Sequence, residues 1–157
     1  MSEKKPCGIC AGITSIKEGK LPDFIAELPH SYLILGDAQF YRGYCILFAK
    51  SHATELYLMP REEALALFDE VRSTAEAIAA VTHPHKLNYE CLGNTEPHVH
   101  WHVLPRYEDD DLRLRPVWIR PEADRKRKLE EHDRRALMAS LRAEIVKRIP
   151  DARIPGD

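Results

Sequence analysis

The chain has 157 residues, 44% hydrophobic and 31% charged, with 23 basic against 25 acidic side chains and a formal net charge of −2. That length suits one domain with a proper core, and the near-balance of charge makes no electrostatic case for nucleic acid or a membrane surface as partner. No apolar run approaches a membrane span, and Met1-Ser2-Glu3-Lys4-Lys5-Pro6 lacks the apolar segment of a secretory signal, so the four cysteines read as thiols or metal ligands in a cytoplasmic protein.

Cys7-Gly8-Ile9-Cys10 is a C-x-x-C pair. Alone, the spacing fits half of a zinc site, a redox pair, or two thiols on a free N-terminal arm. A redox pair opens a helix after a strand, and only a short polar lead precedes this one. Half a zinc site needs two more ligands. Residues 17–23 form a turn-rich linker. Residues 24–28 are a short apolar run and a first strand. Residues 31–35 are a second strand, ended by Gly36-Asp37, and residues 43–49 are a third. The stretch between them suits a hairpin with a longer loop. Asp37 fits a turn aspartate that bonds its own backbone.

Residues 60–81 read as one helix. Pro60 suits its first position, and Glu62 and Glu63 sit near the positive end. Ala64, Leu67, Phe68, Val71, Ala75, Ile78 and Ala79 recur at three and four residues and predict one buried stripe. The helix stops before His83-Pro84-His85, whose histidines read as solvated loop residues. Residues 86–92 read as a strand with Leu87, Tyr89 and Cys91 on one face and Asn88 and Glu90 on the other. Cys45 and Cys91 read as apolar fillers. Gly93-Asn94-Thr95 then turns the chain.

His98-Val99-His100-Trp101-His102-Val103-Leu104 follows. On a strand, side chains alternate between faces, so the three histidines share one face and Val99, Trp101 and Val103 the other. A helix would place successive histidines about 200° apart. Burial of the apolar face fixes the register. The histidine face is then free for a polar strand surface, a metal, or phosphoryl chemistry with a histidine nucleophile.

The run Asn94-Thr95-Glu96-Pro97-His98-Val99-His100-Trp101-His102-Val103-Leu104-Pro105-Arg106 resembles the signature of the histidine triad superfamily of nucleotide hydrolases and transferases. That signature is His-φ-His-φ-His-φ-φ, with φ apolar, and every position matches. His102 resembles the hydrolase branches, since transferase and phosphorylase branches usually carry glutamine there. The resemblance covers about residues 7–106 and points to a bacterial diadenosine-tetraphosphate-hydrolase-like member. It implies an α+β fold, with an antiparallel sheet of about five strands, one packed helix and a C-terminal helix, and a two-fold homodimer. It implies hydrolysis of a dinucleoside polyphosphate, nucleoside phosphoramidate or acyl-adenylate through a nucleotidyl-histidine. His100 would be the nucleophile, with His98 and His102 as its catalytic partners.

The same resemblance implies further site residues. Asp37 matches a ribose contact and Asn88 an amide facing the nucleotide. Asn94 and Thr95 match a glutamine and a serine or threonine that bind phosphate. Cys7, Cys10, His52 and His98 match a structural zinc site, and no organic cofactor is implied. Tyr44 stands where many members carry a fourth histidine, and the loop before it looks one residue shorter. Two rivals stay open: a non-catalytic nucleotide-binding module, and a metal-dependent hydrolase using all three histidines.

After Arg106 the resemblance weakens. Residues 1–110 are expected to form the family's domain, with 111–157 an extension packed on it. Tyr107-Glu108-Asp109-Asp110-Asp111 reads as a solvated acidic turn or a cation site. Pro116-Val117-Trp118-Ile119 would pack across the sheet or against a second subunit. Pro121 opens a second helix with Leu129, Ala136, Leu137, Leu141 and Ile145 as its stripe. The cations of 125–128 are balanced by Glu130, Glu131 and Asp133, so they do not make a nucleic-acid face.

Overall fold

The computed structural model describes residues 6–156. Five strands make one antiparallel sheet: β1 (Phe24–Glu27), β2 (Ser31–Leu35), β3 (Cys45–Ala49), β4 (Lys86–Glu90) and β5 (His100–Arg106). The spatial order is β1-β2-β3-β5-β4, so the histidine strand lies between β3 and β4. With helices α1 (Gly8–Lys17), α2 (Arg61–Thr82), α3 (Glu122–Arg125) and α4 (Glu131–Arg148), this is the α+β architecture implied by the resemblance.

Register decides which side chains share a face. His100 lies opposite Phe48, and His102 lies between Ile46 on β3 and Glu90 on β4. Trp101 and Val103 point the other way, paired with Leu47 and Cys45. That second face is the main core. Val71, Ala75 and Ile78 of α2 and Leu137, Met138, Leu141 and Ile145 of α4 pack there with Leu33, Leu35, Leu47 and Val103. Each such side chain stabilises the fold by about 1.5–3 kcal/mol through burial.

The histidine face is covered only at its sides. On one side lies α1, which puts Ile9, Ile13 and Ile16 on Tyr32 and Phe48. This helix, absent from the sequence-based expectations, rules out a free arm at Cys7 and Cys10 and ends at Lys17, where the turn-rich linker begins. Its apolar spacing of four and three residues was readable, but Gly8, Gly12 and three isoleucines give it low intrinsic propensity. Packing on the sheet stabilises it instead. On the other side, Val117 is fully buried against Tyr41, Tyr44 and Leu104.

Three expectations need correction. Phe68 is not in the buried stripe of α2: it is 56% exposed and lies edge-on to Trp101, while Ser73, Thr74 and Ala77 take buried positions. The second helix is interrupted, because α3 is a single turn and α4 starts only at Glu131. Four consecutive cations at 125–128 repel within one turn, and Lys126 is drawn to Asp37 at 3.2 Å. Asp110 of the acidic run is buried rather than solvated. Its carboxylate accepts from Arg106 Nε at 2.8 Å and Arg120 at 2.9 Å. Those cations take the place of a metal. Among the described residues, no helix is long and apolar enough to cross a membrane.

Candidate active site and metal cluster

Each triad histidine has one ring nitrogen committed, and the partner decides what the other can do. His100 Nδ1 lies 2.6 Å from the carbonyl of His98. A carbonyl only accepts, so Nδ1 carries the proton and Nε2 keeps its lone pair. His98 is turned the other way: Nε2 lies 2.8 Å from the Ala49 carbonyl, which leaves Nδ1 unprotonated. His102 Nδ1 lies 2.6 Å from the Tyr44 hydroxyl. Burial pushes the Tyr44 phenol far above its usual range, so the hydroxyl keeps its proton. Burial first, then neighbouring His100, push the His102 pKa down to about 4, against a smaller upward pull from Asp37. The buried hydroxyl has no other hydrogen-bond partner among the described residues, so its proton is satisfied only by donation to Nδ1, which puts the proton of the neutral ring on Nε2.

His100 and His102 line a cavity of about 390 Å³ with Asn94, Thr95, Glu96, Gly93, Leu92 and Trp118. The turn 93–96 therefore faces the two histidines, as the spacing of Asn94 and Thr95 from His100 implies. Glu96 holds the turn in place, its carboxylate accepting from the Gly8 N–H at 2.8 Å at the start of α1. Trp118 stands edge-on to His102, with ring centres 5.5 Å apart, and its indole N–H donates to Glu90. Arg125 lies 4.8 Å over the Trp118 ring.

Asp37 and Asn88 do not line this cavity. Asp37 borders a separate one of about 480 Å³ with Lys126, Lys128, Gln39 and Arg134. It stays within electrostatic range of His102. Asn88 shares the histidine face of the sheet, where its Oδ1 accepts from Arg106 at 3.0 Å. Two side chains stand beside His102 where the sequence reading does not put them: it takes Trp118 for a packing residue and Tyr44 for the counterpart of a fourth histidine. Trp118 reaches the site through the buried clamp on the preceding loop, which has no local signature. Tyr44 alternates with Ile46 and Phe48, which places it on the histidine face, but only the β3–β5 register sets it beside His102.

The fourth group is metal-like. Cys7, Cys10, His52 and His98 bring one ligand atom each to within 4.8 Å of one another. His98 Nδ1 is 3.6 Å from each sulfur and 3.2 Å from His52 Nδ1, and Cys10 Sγ is 3.3 Å from His52 Nδ1. A tetrahedral ion with ligands at 2.0–2.3 Å spaces them by about 3.3–3.8 Å. The donor set and its spacing therefore fit zinc. Cys7 and Cys10 belong to the first turn of α1, where the Cys7 sulfur accepts from the Cys10 N–H at 3.4 Å. His98 is buried and lines this cluster, not the cavity.

Comparison with known proteins identifies the family and the fold. A family model described as HIT domain matches residues 20–109. No curated protein sequence matches the chain. Among solved structures, a histidine triad protein from Bradyrhizobium japonicum superposes with a TM-score of 0.72 at 24% identity, covering 84% of this chain and 95% of that one. One from Marinobacter aquaeolei gives 0.71 at 23% identity, covering 80% and 89%. A zinc-bound histidine triad family protein from Mycobacterium smegmatis gives 0.64 at 23% identity, covering 90% and 94%.

Proposed function

The chain belongs to the HIT, or histidine triad, domain family, a family of nucleotide-binding proteins and nucleotide hydrolases, and from that premise we propose that it hydrolyses nucleotides through a nucleotidyl-histidine intermediate. One observation carries the reading: the 2.6 Å bond from His100 Nδ1 to a carbonyl, which leaves an unprotonated Nε2 on a side chain that lines the cavity. The Nε2 lone pair attacks the α-phosphorus of a nucleoside phosphate. The bond to the leaving group breaks, and that group departs with the electron pair and takes a proton from solvent. The imidazolium so formed is stabilised by the carbonyl behind Nδ1. Water then attacks phosphorus, the N–P bond breaks, Nε2 recovers its lone pair, and the water's proton passes to solvent. His102 Nε2–H, Asn94 and Thr95 supply neutral donors to the phosphoryl oxygens, where charge must be stabilised. Asp37 and Asn88 lie outside the cavity, and their part as nucleoside contacts rests on the family resemblance alone.

The substrate class is a nucleoside phosphate with a leaving group on its α-phosphate: a dinucleoside polyphosphate, a phosphoramidate or an acyl-adenylate. A diadenosine-tetraphosphate hydrolase is the subtype we favour. Cys7, Cys10, His52 and His98 would hold a structural zinc, whose chemistry there is to neutralise two thiolates and fasten α1 to the sheet. Both nitrogens of His98 are then occupied, so it takes no part as an acid. Thiolate ligands suit a reducing, cytoplasmic setting. The domain would end near residue 110, with the extension packed on it.

His100→Ala tests the reading. Turnover of diadenosine tetraphosphate and adenosine phosphoramidate should vanish, while adenosine monophosphate still binds. Mass spectrometry of quenched wild-type reactions should find one nucleotidyl group on His100. Full turnover in His100→Ala sinks the mechanism, and binding without turnover in the wild type selects the regulatory module. Immediate loss of turnover on chelation, restored by metal, selects the metal-dependent hydrolase.

A further inference from the structure

We propose that Tyr44 is a positioning residue that fixes His102 as the Nε2–H tautomer, and that Gly36 is the space its ring requires. Tyr44 stands where many histidine triad proteins carry a fourth histidine, and the two side chains differ in a way that matters. Imidazole can donate or accept through either nitrogen. A phenol has a single proton, and among the described residues the buried Tyr44 hydroxyl meets no hydrogen-bond partner besides His102 Nδ1, at 2.6 Å; accepting there would strand that proton, so the hydroxyl donates.

The geometry is over-determined. Tyr44 is 2% exposed, and its ring stacks on His102 at 23° with centres 5.9 Å apart. Trp118 holds the imidazole from another side, at 78°. The Tyr44 ring passes directly over Gly36: a Cβ at position 36 would fall 2.3 Å from its Cε1. The surrounding loop is pinned by Gln39. Its side-chain amide donates to the carbonyls of Gly36 at 2.7 Å and Tyr44 at 2.9 Å, and its Oε1 accepts from the Gly43 N–H at 3.0 Å. The Gly36 N–H donates to the Tyr44 carbonyl at 2.9 Å. These bonds fix the backbone from which the Tyr44 ring projects.

The consequence for the site rests on the hydrolase reading. With Nδ1 taken by the hydroxyl, His102 offers the cavity a donor and no acceptor. It can bond a phosphoryl oxygen, but it cannot take a proton from water there. His100 and His102 therefore present opposite faces of one chemistry, a lone pair and an N–H. The charged and titratable groups around His102 are His100 on its own strand, Glu90 on β4, Asp37 after β2, Tyr44, and Arg125 beyond Trp118.

The test has one arm that needs no substrate. Long-range proton–nitrogen NMR on nitrogen-15-labelled protein reads which His102 nitrogen is protonated. Wild type should show the Nε2–H form alone. Tyr44→Phe keeps the ring and removes the donor, so the tautomers should mix. Tyr41→Phe, a control on a neighbouring buried ring, should leave His102 unchanged. The rate arm uses adenosine phosphoramidate: kcat should fall about tenfold in Tyr44→Phe, the loss of one hydrogen bond's orientation. Gly36→Ala should shift the His102 signals as well. A proton on Nδ1 in wild type, or a wild-type tautomer in Tyr44→Phe, overturns the proposal. Absence of turnover in wild type counts against the hydrolase reading alone, since the NMR arm stands without it.

Discussion

Three histidines with one sequence context differ only in what meets each ring. A carbonyl meets His98 at Nε2 and His100 at Nδ1, and a hydroxyl meets His102 at Nδ1. The alternation of the strand was legible, because period two needs no tertiary knowledge. The partners were not, since Ala49 and Tyr44 reach the triad only through the β3–β5 register. His102 also makes a prediction about pH. Its folded pKa of about 4 lies below the 6.5 of an ordinary histidine. Between those values the unfolded chain binds more protons, so stability rises with pH across the window and is lost as pH falls through it. The loss amounts to about 3 kcal/mol by pH 4. Denaturant midpoints measured from pH 7 to pH 4 should fall, and His102→Gln should remove that part of the slope. An unchanged slope in the variant would place the acid sensitivity elsewhere.

At the scale of elements, the segment after β5 departs furthest from its reading. Its acidic composition says solvent, yet Asp110 is 3% exposed. Burial works to raise its pKa, and hydrogen bonds from Arg106, the Leu112 N–H and Arg120 outweigh it and hold the carboxyl low. Arg106 spends its remaining donors on Asn88 and the carbonyls of Leu112 and Arg115. This clamp shapes the loop that delivers Val117 and Trp118 to the histidine face. Counting charges along the chain cannot reveal it, because the pairing cations lie on both sides of the run. Asp110→Asn leaves the buried Arg106 guanidinium without its counter-charge, while Arg120 keeps Asp111, and costs about 3–5 kcal/mol. The melting temperature should drop sharply, whereas Asp109→Asn, on an exposed residue, should leave it unchanged. Equal melting temperatures for the two variants would contradict the clamp.

The molecule as a whole is tied together by the cysteine and histidine cluster, which joins α1 to the start of the triad strand. The C-x-x-C was legible as half a site; the helix carrying it was not, because its stability comes from the sheet. If zinc fills the cluster, its binding energy is part of the folding energy. Chelation should then lower the melting temperature while sparing the rate at low temperature. Purified protein should carry one zinc per chain, and Cys7→Ser/Cys10→Ser should carry none. Metal retained without the cysteines would rule the site out. We also infer a two-fold dimer along β4, supported by Tyr89, 48% exposed on that strand, and by exposed Phe68 and Leu65 on α2. Phe68→Glu should sediment as a monomer; a wild type that is itself monomeric would end this reading.

The two edges of the sheet differ in one respect that governs assembly. Along β1, the α4 residue Arg142 donates to the carbonyls of Phe24 and Ile25, and Arg153 exchanges both backbone bonds with Glu27. That edge is sealed. Beyond β4 no further strand is paired among the described residues. A sheet with two open edges can recruit copies without end and grow into a fibre. With a single open edge, strand addition about a two-fold axis consumes the template in the first encounter. In the dimer we infer, growth would terminate at two copies, with the seal on β1 as a guard against polymerisation. Arg142→Ala, which bares the Phe24 and Ile25 carbonyls, is the change that would lift it.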